Sequence, residues 1–562
     1  MTLTKIQLNP GIQKQTSSLG VANGYTDCDN IRFRYGLPEK IGGWQKTTDS
    51  RLIGVARDAH HWVALDGTRL AALGTDKKLY IYANSILYDI TPTRQTNSSV
   101  ASIFTTTNGS ANVTVNITSH GANAGDIVTF SGTTGLVGTS FTAEQFDRSF
   151  EVKSVTSTNA FVIEQDATES TGSVTTGTAT AVFDIAIAPA FSTFGYGWGT
   201  STWNTETWGT ARSTSSVTLE GRDWSLDNFG ELLIATALNG STFQWSPTSD
   251  GLTGKASLVT NAPTTSKFSL VSTPDRHLIL FGTEKTVGTG SSQDPLLLRF
   301  SSQEDINTYQ PAAENTAGSL RIQDGSSIVG ADKARGQILV WTDTSLHGLQ
   351  FIGPPFTFGL NQLGRNCGLL GQHSAVVVRD VAYWMGQNAF FVFDGTVKKL
   401  PCTVDDFVFE NIDLTQSDQI FAGVNTEFAE IIWFYVTNPD NVAQPQVNRC
   451  VVYNYLEQTW SIGTLNRTSW VDRGVFQFPL ATEYLTNTAA NTTPTVIGLS
   501  NGASNYYQQE FGTDADGVAM PSFIQTGDFR SHVDENYYEE ISRILFLKNI
   551  QNQLGSIDFY DI

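Results

Sequence analysis

The sequence predicts an all-β protein, a β-propeller of about seven blades with a small β domain inserted into the series. Hydrophobic residues make up 40% of its 562 residues and aromatic residues 11%, against 16% charged residues and 50 glycines. Short runs of branched and aromatic residues alternate with turn-rich sequence, and no long helical pattern interrupts them. These runs recur in units of ~40 to 50 residues, a spacing typical of sheets that bury both faces only against neighbouring sheets.

The clearest strand pattern lies between Leu296 and Cys402. Four apolar runs occur there, at Leu296–Phe300, Gly336–Thr342, Val376–Met385 and Ala389–Asp394. The last two read YWMGQNAFFVFDG, which predicts an antiparallel pair around a short Gly-Gln-Asn-Ala turn, because Gly and Asn accept the backbone angles of tight turns.

Similar strand units recur along most of the chain. The first lies at 51–92, where Asp-Gly and Gly-Thr-Asp separate short apolar runs as in an antiparallel meander. The remaining propeller is expected within 221–512, in units at 224–247, 268–311, 326–353, 374–401, 428–463 and 474–512. Seven blades result, and six to eight are compatible with the divergent spacing.

Four further segments complete the predicted organisation. Residues 1–50 are predicted to form an extended N-terminal segment, and its basic residues are candidates to contact an acidic partner surface. Residues 93–189 are rich in Ser, Thr, Gly and Ala and predict the inserted β domain, with a separable module at 98–185. A Gly/Trp-rich link follows at 190–220. Residues 513–562 are predicted to be strands that close the ring or form its tip.

Charge and motif content exclude several function classes. With 34 basic against 54 acidic residues the net charge is −20, which argues against a surface that grips nucleic-acid phosphates. Four dispersed cysteines argue against a zinc ribbon or a disulfide framework. The start MTLTKIQLNPGIQK lacks a signal-peptide core, and no apolar run approaches the ~20 residues of a membrane span. We therefore expect a protein made in a cytoplasm, without membrane anchoring.

Sequence signatures of catalysis are lacking as well. The loop GTEKTVGTGSS has no Gly-Lys-Ser/Thr ending, and neither a GxSxG nor an HExxH motif occurs. Neighbouring carboxylates such as Asp405 and Asp406 would serve glycoside hydrolysis only if folding set two of them at a suitable separation. The prediction is a non-enzyme without cofactor or metal.

Several stretches together resemble the tail nozzle (tail tubular) proteins of short-tailed bacteriophages. They are PGIQKQTSS through DNIRFRYGLPEKIGGW, WSLDNFGELLIAT, RFSSQEDINTYQPAAENTAGSLRI, LVWTDTSLHGLQFIGPPFTFG and YWMGQNAFFVFDG. The insert stretch HGANAGDIVTFSG resembles a β module found inserted in such proteins. The resemblance implies a propeller subunit of a virion tail, assembled as a hexamer beneath a portal and its adaptor (head-to-tail connector) ring. That hexamer forms the distal end of the DNA ejection channel, where tail fibres or spikes and a tail needle or plug also attach.

Candidate site residues follow from this hypothesis. A lumen that lets duplex DNA pass without tight binding should be acidic, and the candidate contributors are Asp405, Asp406, Glu410, Asp413, Asp534, Glu535, Glu539 and Glu540. Basic and aromatic side chains are candidate assembly contacts, namely Arg32, Arg34, Trp44, Trp198, Trp203 and Trp208. For the basic ones, pairing within the chain is the alternative.

A second function class stays open at this stage. The aromatic-glycine run at 194–210 contains Tyr196, Trp198, Trp203 and Trp208, and such side chains can stack on sugars. A carbohydrate-binding or carbohydrate-degrading propeller of a phage tail is therefore the alternative hypothesis.

Overall fold

The alternating apolar runs form seven antiparallel sheets, and each sheet is one blade of a closed propeller. The computed structural model describes residues 7–194 and 218–527, apart from residues 19, 22, 274, 441, 443, 487–495, 500 and 501. The predicted fold class, an all-β propeller of seven blades, is confirmed. Helix is confined, in the described part, to two short α-helices and two 3-10 turns.

The N-terminal segment contributes five strands, and the first blade follows it directly. The N-terminal strands are β1 (Tyr25–Asp29), β2 (Ile31–Arg34), β3 (Leu37–Lys40), β4 (Trp44–Lys46) and β5 (Leu52–Ile53). Blade 1 consists of β6 (Ala56–Val63), β7 (Arg69–Thr75), β8 (Leu79–Ala83) and β9 (Ile86–Asp89).

The insert forms a sheet of its own between blades 1 and 2. Its elements are β10 (Thr93–Thr105), β11 (Asn112–Asn116), β12 (Ile127–Thr134), α1 (Ala143–Phe146), β13 (Ser149–Glu151), β14 (Ser154–Ser157), β15 (Ala160–Glu164) and β16 (Thr175–Asp184). A separate core of Phe, Val, Ile and Ala side chains fills it. The following link is described at its two ends, β17 (Thr193–Phe194) and β18 (Thr218–Leu219), which pair with each other.

Blades 2 to 4 are four-stranded meanders in chain order. Blade 2 is β19 (Trp224–Phe229), β20 (Leu232–Ala237), β21 (Thr242–Trp245) and β22 (Ser257–Leu258). Blade 3 is β23 (Phe268–Val271), β24 (Leu278–Phe281), β25 (Leu297–Phe300) and β26 (Gly318–Arg321), with a 3-10 turn at Gly290–Ser292. Blade 4 is β27 (Ile328–Ala334), β28 (Gln337–Thr342), β29 (Ser345–Gly353) and β30 (Thr357–Arg365).

Blades 5 and 6 continue the series and are joined by helix. Blade 5 is β31 (Ala375–Val378), β32 (Val381–Met385), β33 (Phe390–Phe393) and β34 (Val397–Lys399). The helix α2 (Asp405–Asn411) and a 3-10 turn (Leu414–Gln419) lead into blade 6, which is β35 (Phe421–Asn425), β36 (Glu430–Tyr435), β37 (Arg449–Asn454) and β38 (Thr459–Gly463).

The seventh blade joins the two ends of the chain. Its C-terminal strands are β39 (Ser469–Val471), β40 (Leu480–Leu485) and β42 (Ala503–Gln509), and β4 from the N-terminal segment completes it by pairing with β42. The short β5 pairs with β42 as well. The ring is thus closed by N-terminal strands. The C-terminal strand that the structure describes, β43 (Phe523–Thr526), pairs with β1 outside the blades. That residues 513–562 close the ring or form its tip stays a prediction.

The seven inner strands surround the propeller axis, each in contact with the inner strands of both neighbouring blades. Two of these junctions are made by a tryptophan that packs on a glycine of the preceding blade. A Cβ on Gly74 would lie 2.4 Å from the Trp224 ring, and one on Gly423 would lie 2.6 Å from the Trp470 ring, so no side chain fits there. Each indole also donates a hydrogen bond of 2.8 Å to a carbonyl of the preceding blade.

A strand pairing and a buried ion cluster are among the contacts that fix the insert to the propeller. Strand β13 pairs in parallel with β41 (Val496–Ile497), a short strand in the β40–β42 connection of blade 7. Where the insert joins blade 1, the Lys78 ammonium lies 2.6 Å from Asp89 and 2.8 Å from Asp184. Asp89 is the last residue of β9 in blade 1, and Asp184 is the last residue of β16 in the insert. Burial alone would lower the pKa of Lys78, but the two carboxylates outweigh it and raise the pKa. The insert is therefore attached through a buried ion cluster and an extended sheet.

Candidate functional site

Charged side chains concentrate where the inner strands begin, at one mouth of the channel along the propeller axis. The inner strands run in the same direction, as the paired contacts of β6 and β19 indicate: Asp58 binds Leu226 and His60 binds Asn228. The first residues of different blades therefore converge at one end. We refer to Arg57, Asp58, Asp223, His373 and Asp418 as the axial cluster.

His373 spans the channel at this level. It stands just before the inner strand of blade 5, and its Nε2 lies 3.1 Å from Asp223 Oδ2 and 3.1 Å from the Trp224 carbonyl oxygen, both at the start of blade 2. Burial alone would lower the pKa of His373, but the Asp223 and Asp58 carboxylates outweigh it and raise the pKa to about 10. The imidazolium thus connects two blades that are not neighbours in the ring.

A second ion pair spans the channel from blade 4. The Lys333 ammonium, on the inner strand β27, lies 2.7 Å from Asp227 Oδ2 on the inner strand of blade 2. Asp227 is buried, and its other oxygen is also within 2.9 Å of the ammonium. The axial channel is therefore bridged by charged side chains at two levels.

Three inner-strand aspartates repeat one contact between adjacent blades. Each carboxylate accepts a hydrogen bond from the next residue's own N–H and another from an N–H on the inner strand of the following blade. The pairs across the junctions are Asp58 with Leu226, Asp227 with Val271, and Asp332 with Val377. These bonds join blades 1 to 2, 2 to 3 and 4 to 5.

The same mouth holds the described ends of the Gly/Trp-rich link. Ser192 donates a hydrogen bond of 2.6 Å to Asp418, and Gly221 donates one of 2.8 Å to the Ser192 hydroxyl. The buried Arg57 donates to the Ala190 carbonyl and to Gln446, at 2.6 Å and 2.7 Å. The link therefore leaves and rejoins the propeller next to the axial cluster.

The chemistry of this cluster is that of a charged support. A general base should have a pKa near the working pH, whereas the raised pKa of His373 keeps its imidazole protonated at neutral pH. Burial raises the pKa of Asp332 to about 6, but this carboxylate already accepts hydrogen bonds from two backbone N–H groups. No group of three His, Cys, Asp or Glu side chains in the described ranges is arranged to hold a metal ion.

The structure describes four of the eight predicted acidic residues. Asp405, Asp406 and Glu410 lie on α2 and Asp413 just after it, on the connection from the outer strand of blade 5 to the inner strand of blade 6. Asp406 and Glu410 are exposed, whereas Asp405 accepts a hydrogen bond of 2.7 Å from Gln15. None of the four belongs to the axial cluster. The other candidates, Asp534, Glu535, Glu539 and Glu540, lie outside the described residues.

Two of the predicted assembly residues have their side chains committed within the chain. Arg32 is 3% exposed, and its guanidinium lies 3.0 Å from Glu430 and also pairs with Glu510. The alternative of pairing within the chain therefore holds for Arg32. Trp44 lies in β4 of blade 7 and is half-buried, with the Arg467 guanidinium 4.5 Å from its ring centroid, and it packs against the core of blade 6.

The remaining assembly candidates differ from these two. Arg34 is half-buried next to the tip of the β2–β3 hairpin. Trp198, Trp203 and Trp208 lie outside the described residues.

Sequence reasoning missed the axial cluster. Its members are up to 361 positions apart, from Arg57 to Asp418. They lie in a strand, just before a strand or in a 3-10 turn, and no sequence motif joins them. One signal was present: Asp58, Asp227 and Asp332 occupy comparable places in the units VARDAHHW, WSLDNFG and VGADKARG. An alignment of the units to one another would have singled out these aspartates.

Comparisons with known proteins add little. No family model matches the chain, and no curated protein matches it. Among solved structures, the phage phi92 endosialidase matches with a TM-score of 0.17 and 12% identity, over 90% of this chain and 63% of that one. BamB from Moraxella catarrhalis matches with a TM-score of 0.27 and 12% identity, over 50% of this chain and 81% of that one. A chain in an S. cerevisiae complex of Dbp5 with Nup159 and Gle1 matches with a TM-score of 0.30 and 8% identity, over 51% of this chain and 89% of that one.

Likeness at these scores carries no argument about function. The chain spans 63% of the endosialidase chain that it matches. Within the described part, no helix is long and apolar enough to cross a bilayer. What the fold and the site define is a class: a closed seven-bladed β-propeller with one inserted β domain and an axis bridged by ion pairs.

Proposed function

We propose that this chain is the nozzle subunit of a short-tailed bacteriophage, a structural and non-catalytic component of the virion tail. In this proposal six copies form a ring beneath the adaptor, and the ring is the distal part of the DNA ejection channel. The observation that carries the proposal is the agreement between the sequence resemblance and the fold. The sequence motifs resemble nozzle proteins, and the chain folds into the propeller with an inserted β domain that this resemblance implies.

The bridged axis supports a path for DNA between the subunits. His373 with Asp223, and Lys333 with Asp227, span the channel of each propeller, so a duplex would have to pass through a lumen that the copies enclose together. A net charge of −20 per chain would give such a lumen little affinity for phosphates, because binding requires their neutralisation by Lys and Arg. The exposed Asp406 and Glu410 are candidates to face it.

Binding assays separate this proposal from the carbohydrate alternative. The purified chain should bind the adaptor ring and should show no measurable affinity for duplex DNA at low salt. It should bind no glycan on an array and should release no product in a depolymerisation assay. Glycan binding or depolymerisation without adaptor binding would replace the nozzle by the carbohydrate-acting propeller. Tight binding of duplex DNA would contradict the acidic lumen.

A further inference from the structure

The turn between β2 and β3 displays a tyrosine in a conformation that tyrosine disfavours. Tyr35 and Gly36 are its two central residues, with φ of 54° and 72°, the positive values of a type I′ turn. Asn-Gly is the usual sequence of such a turn, because positive φ is a genuine outlier for a bulky side chain. The Tyr35 side chain is nevertheless 81% exposed at the tip. Folding alone gives no reason for tyrosine at this position.

The turn is held from outside the hairpin. The Glu457 carboxylate, in the β37–β38 turn of blade 6, accepts hydrogen bonds from the backbone N–H groups of both Tyr35 and Gly36. At the other end of the hairpin, Arg32 is paired with Glu430 and Glu510, and Phe33 is buried in the core of blades 5 and 6. The tip is therefore presented by a fixed support, which lowers the entropy lost when a partner binds.

The side chains around the tip form an alternating stack that ends in solvent. The Arg32 guanidinium lies 3.6 Å from the Phe428 ring centroid, Arg34 lies 5.2 Å from the same centroid, and Arg34 also lies 5.1 Å from the Tyr35 centroid. Among the described residues no carboxylate forms an ion pair with Arg34, so its charge is uncompensated. The stack thus presents an aromatic ring and one positive charge.

Apolar side chains extend the same surface. Leu37, the first residue of β3, is 62% exposed, and Leu456, next to Glu457, is 63% exposed. A tyrosine and an arginine among exposed leucines form the composition of an interface centre, because Tyr and Arg are enriched among the residues that dominate binding energy. We call Arg34, Tyr35, Leu37 and Leu456 the hairpin patch.

We infer that the hairpin patch is a subunit contact whose partner is a second copy of this chain. The inference rests on the proposed function, which requires copies to meet around a ring. Charge complementarity favours this partner. The net charge of each chain is −20, so a second copy offers a mainly acidic surface to the uncompensated Arg34. In a ring built head to tail, this patch would meet a different patch of the neighbour, and the rotation between copies would close the ring.

Replacement of Tyr35 by asparagine tests the inference without damage to the fold. Tyr35→Asn creates the preferred Asn-Gly turn, so the monomer should melt at the same temperature or higher. Self-association, measured by sedimentation velocity with and without the adaptor ring, should weaken by roughly tenfold or more, as for a residue central to an interface. Leu65→Asn is the matched control: Leu65 is 88% exposed in the β6–β7 turn, outside the patch, and its replacement should leave assembly unchanged.

A second measurement identifies the partner directly. A photoreactive benzoylphenylalanine in place of Leu37 should give a crosslinked product of two copies of this chain. Unchanged assembly of the Tyr35→Asn variant, or a Leu37 crosslink that reaches only the adaptor, would overturn the inference and leave the proposed function standing. A wild-type chain that forms no ring even on the adaptor would instead remove the proposed function, and the inference with it.

Discussion

At the scale of single residues, ion pairs across the propeller channel act as supports. His373 and Lys333 each pair with a carboxylate on a blade that is not a neighbour of their own. Because each charge loses its partner if the blades are arranged differently, these pairs favour the closure that brings blade 2 close to blades 4 and 5. The raised pKa of His373 makes this contribution dependent on pH.

The first prediction is that the stabilisation contributed by His373 is lost at high pH. The folded-state pKa of His373, about 10, is above the ~6.5 of an unfolded histidine. Its stabilisation is therefore fully present below about pH 6.5 and is lost as the pH rises through about 10. The difference in free energy of unfolding between the wild type and His373→Gln should fall by roughly 1 to 4 kcal/mol between these pH values. Urea unfolding, followed by tryptophan fluorescence across this range, measures it.

His61 supplies the matched control. Burial lowers the pKa of His61 to about 3, so this histidine is neutral in the folded and the unfolded state above about pH 6.5. The stability difference between the wild type and His61→Gln should therefore stay constant between about pH 7 and pH 10. A His373→Gln difference that is equally flat would show that the imidazole is not protonated in the folded protein.

At the scale of elements, the insert and its attachment explain how a foreign sheet is tolerated within a propeller. The insert has a core of its own, and its two connecting strands, β10 and β16, pair with each other from Thr93 and Asp184 onward. The propeller therefore meets a pair of adjacent strands, which a short turn could replace. Asp184 is the exception, because it neutralises Lys78 of blade 1.

The second prediction compares two deletions of the insert. Removal of 98–180 with a short Gly/Ser bridge keeps the paired stub Asn97 and Ala181 and keeps Asp184, so the propeller should fold. Removal of 98–185 takes Asp184 away and leaves the buried Lys78 with Asp89 alone. Because a buried charge then loses a partner, this variant should be less stable by about 1 to 3 kcal/mol. Thermal unfolding of both proteins measures the difference, and equal midpoints would contradict the role of Asp184.

Most strands could be predicted from the sequence, because alternation and turn residues are local signals. The pair β32 and β33, for example, lies where YWMGQNAFFVFDG indicates it. The role of β4 could not be predicted, because its pairing with β42 joins Trp44 to Gln509, far along the chain. Trp44 therefore looked like a surface aromatic. The axial cluster could not be predicted for the same reason, because only the closure of the ring brings blades 2 and 5 together.

At the scale of the whole molecule, closure by an N-terminal strand ties both halves of the chain into one ring. Deletion of residues 1–46 would therefore remove β4 and part of the core of blades 5 and 6, besides any contact with a neighbour. Single changes in the hairpin patch are the cleaner probe of assembly. In the proposed assembly, a ring of these closed propellers would enclose a channel between its subunits.

The most direct test of the account is electron microscopy of the purified chain assembled on the adaptor ring. The account predicts class averages with six-fold symmetry and an open central lumen, in which each subunit appears as a closed wheel of seven blades. Isolated single copies, or rings of another symmetry without a lumen wide enough for duplex DNA, would contradict the proposal that this protein is a nozzle.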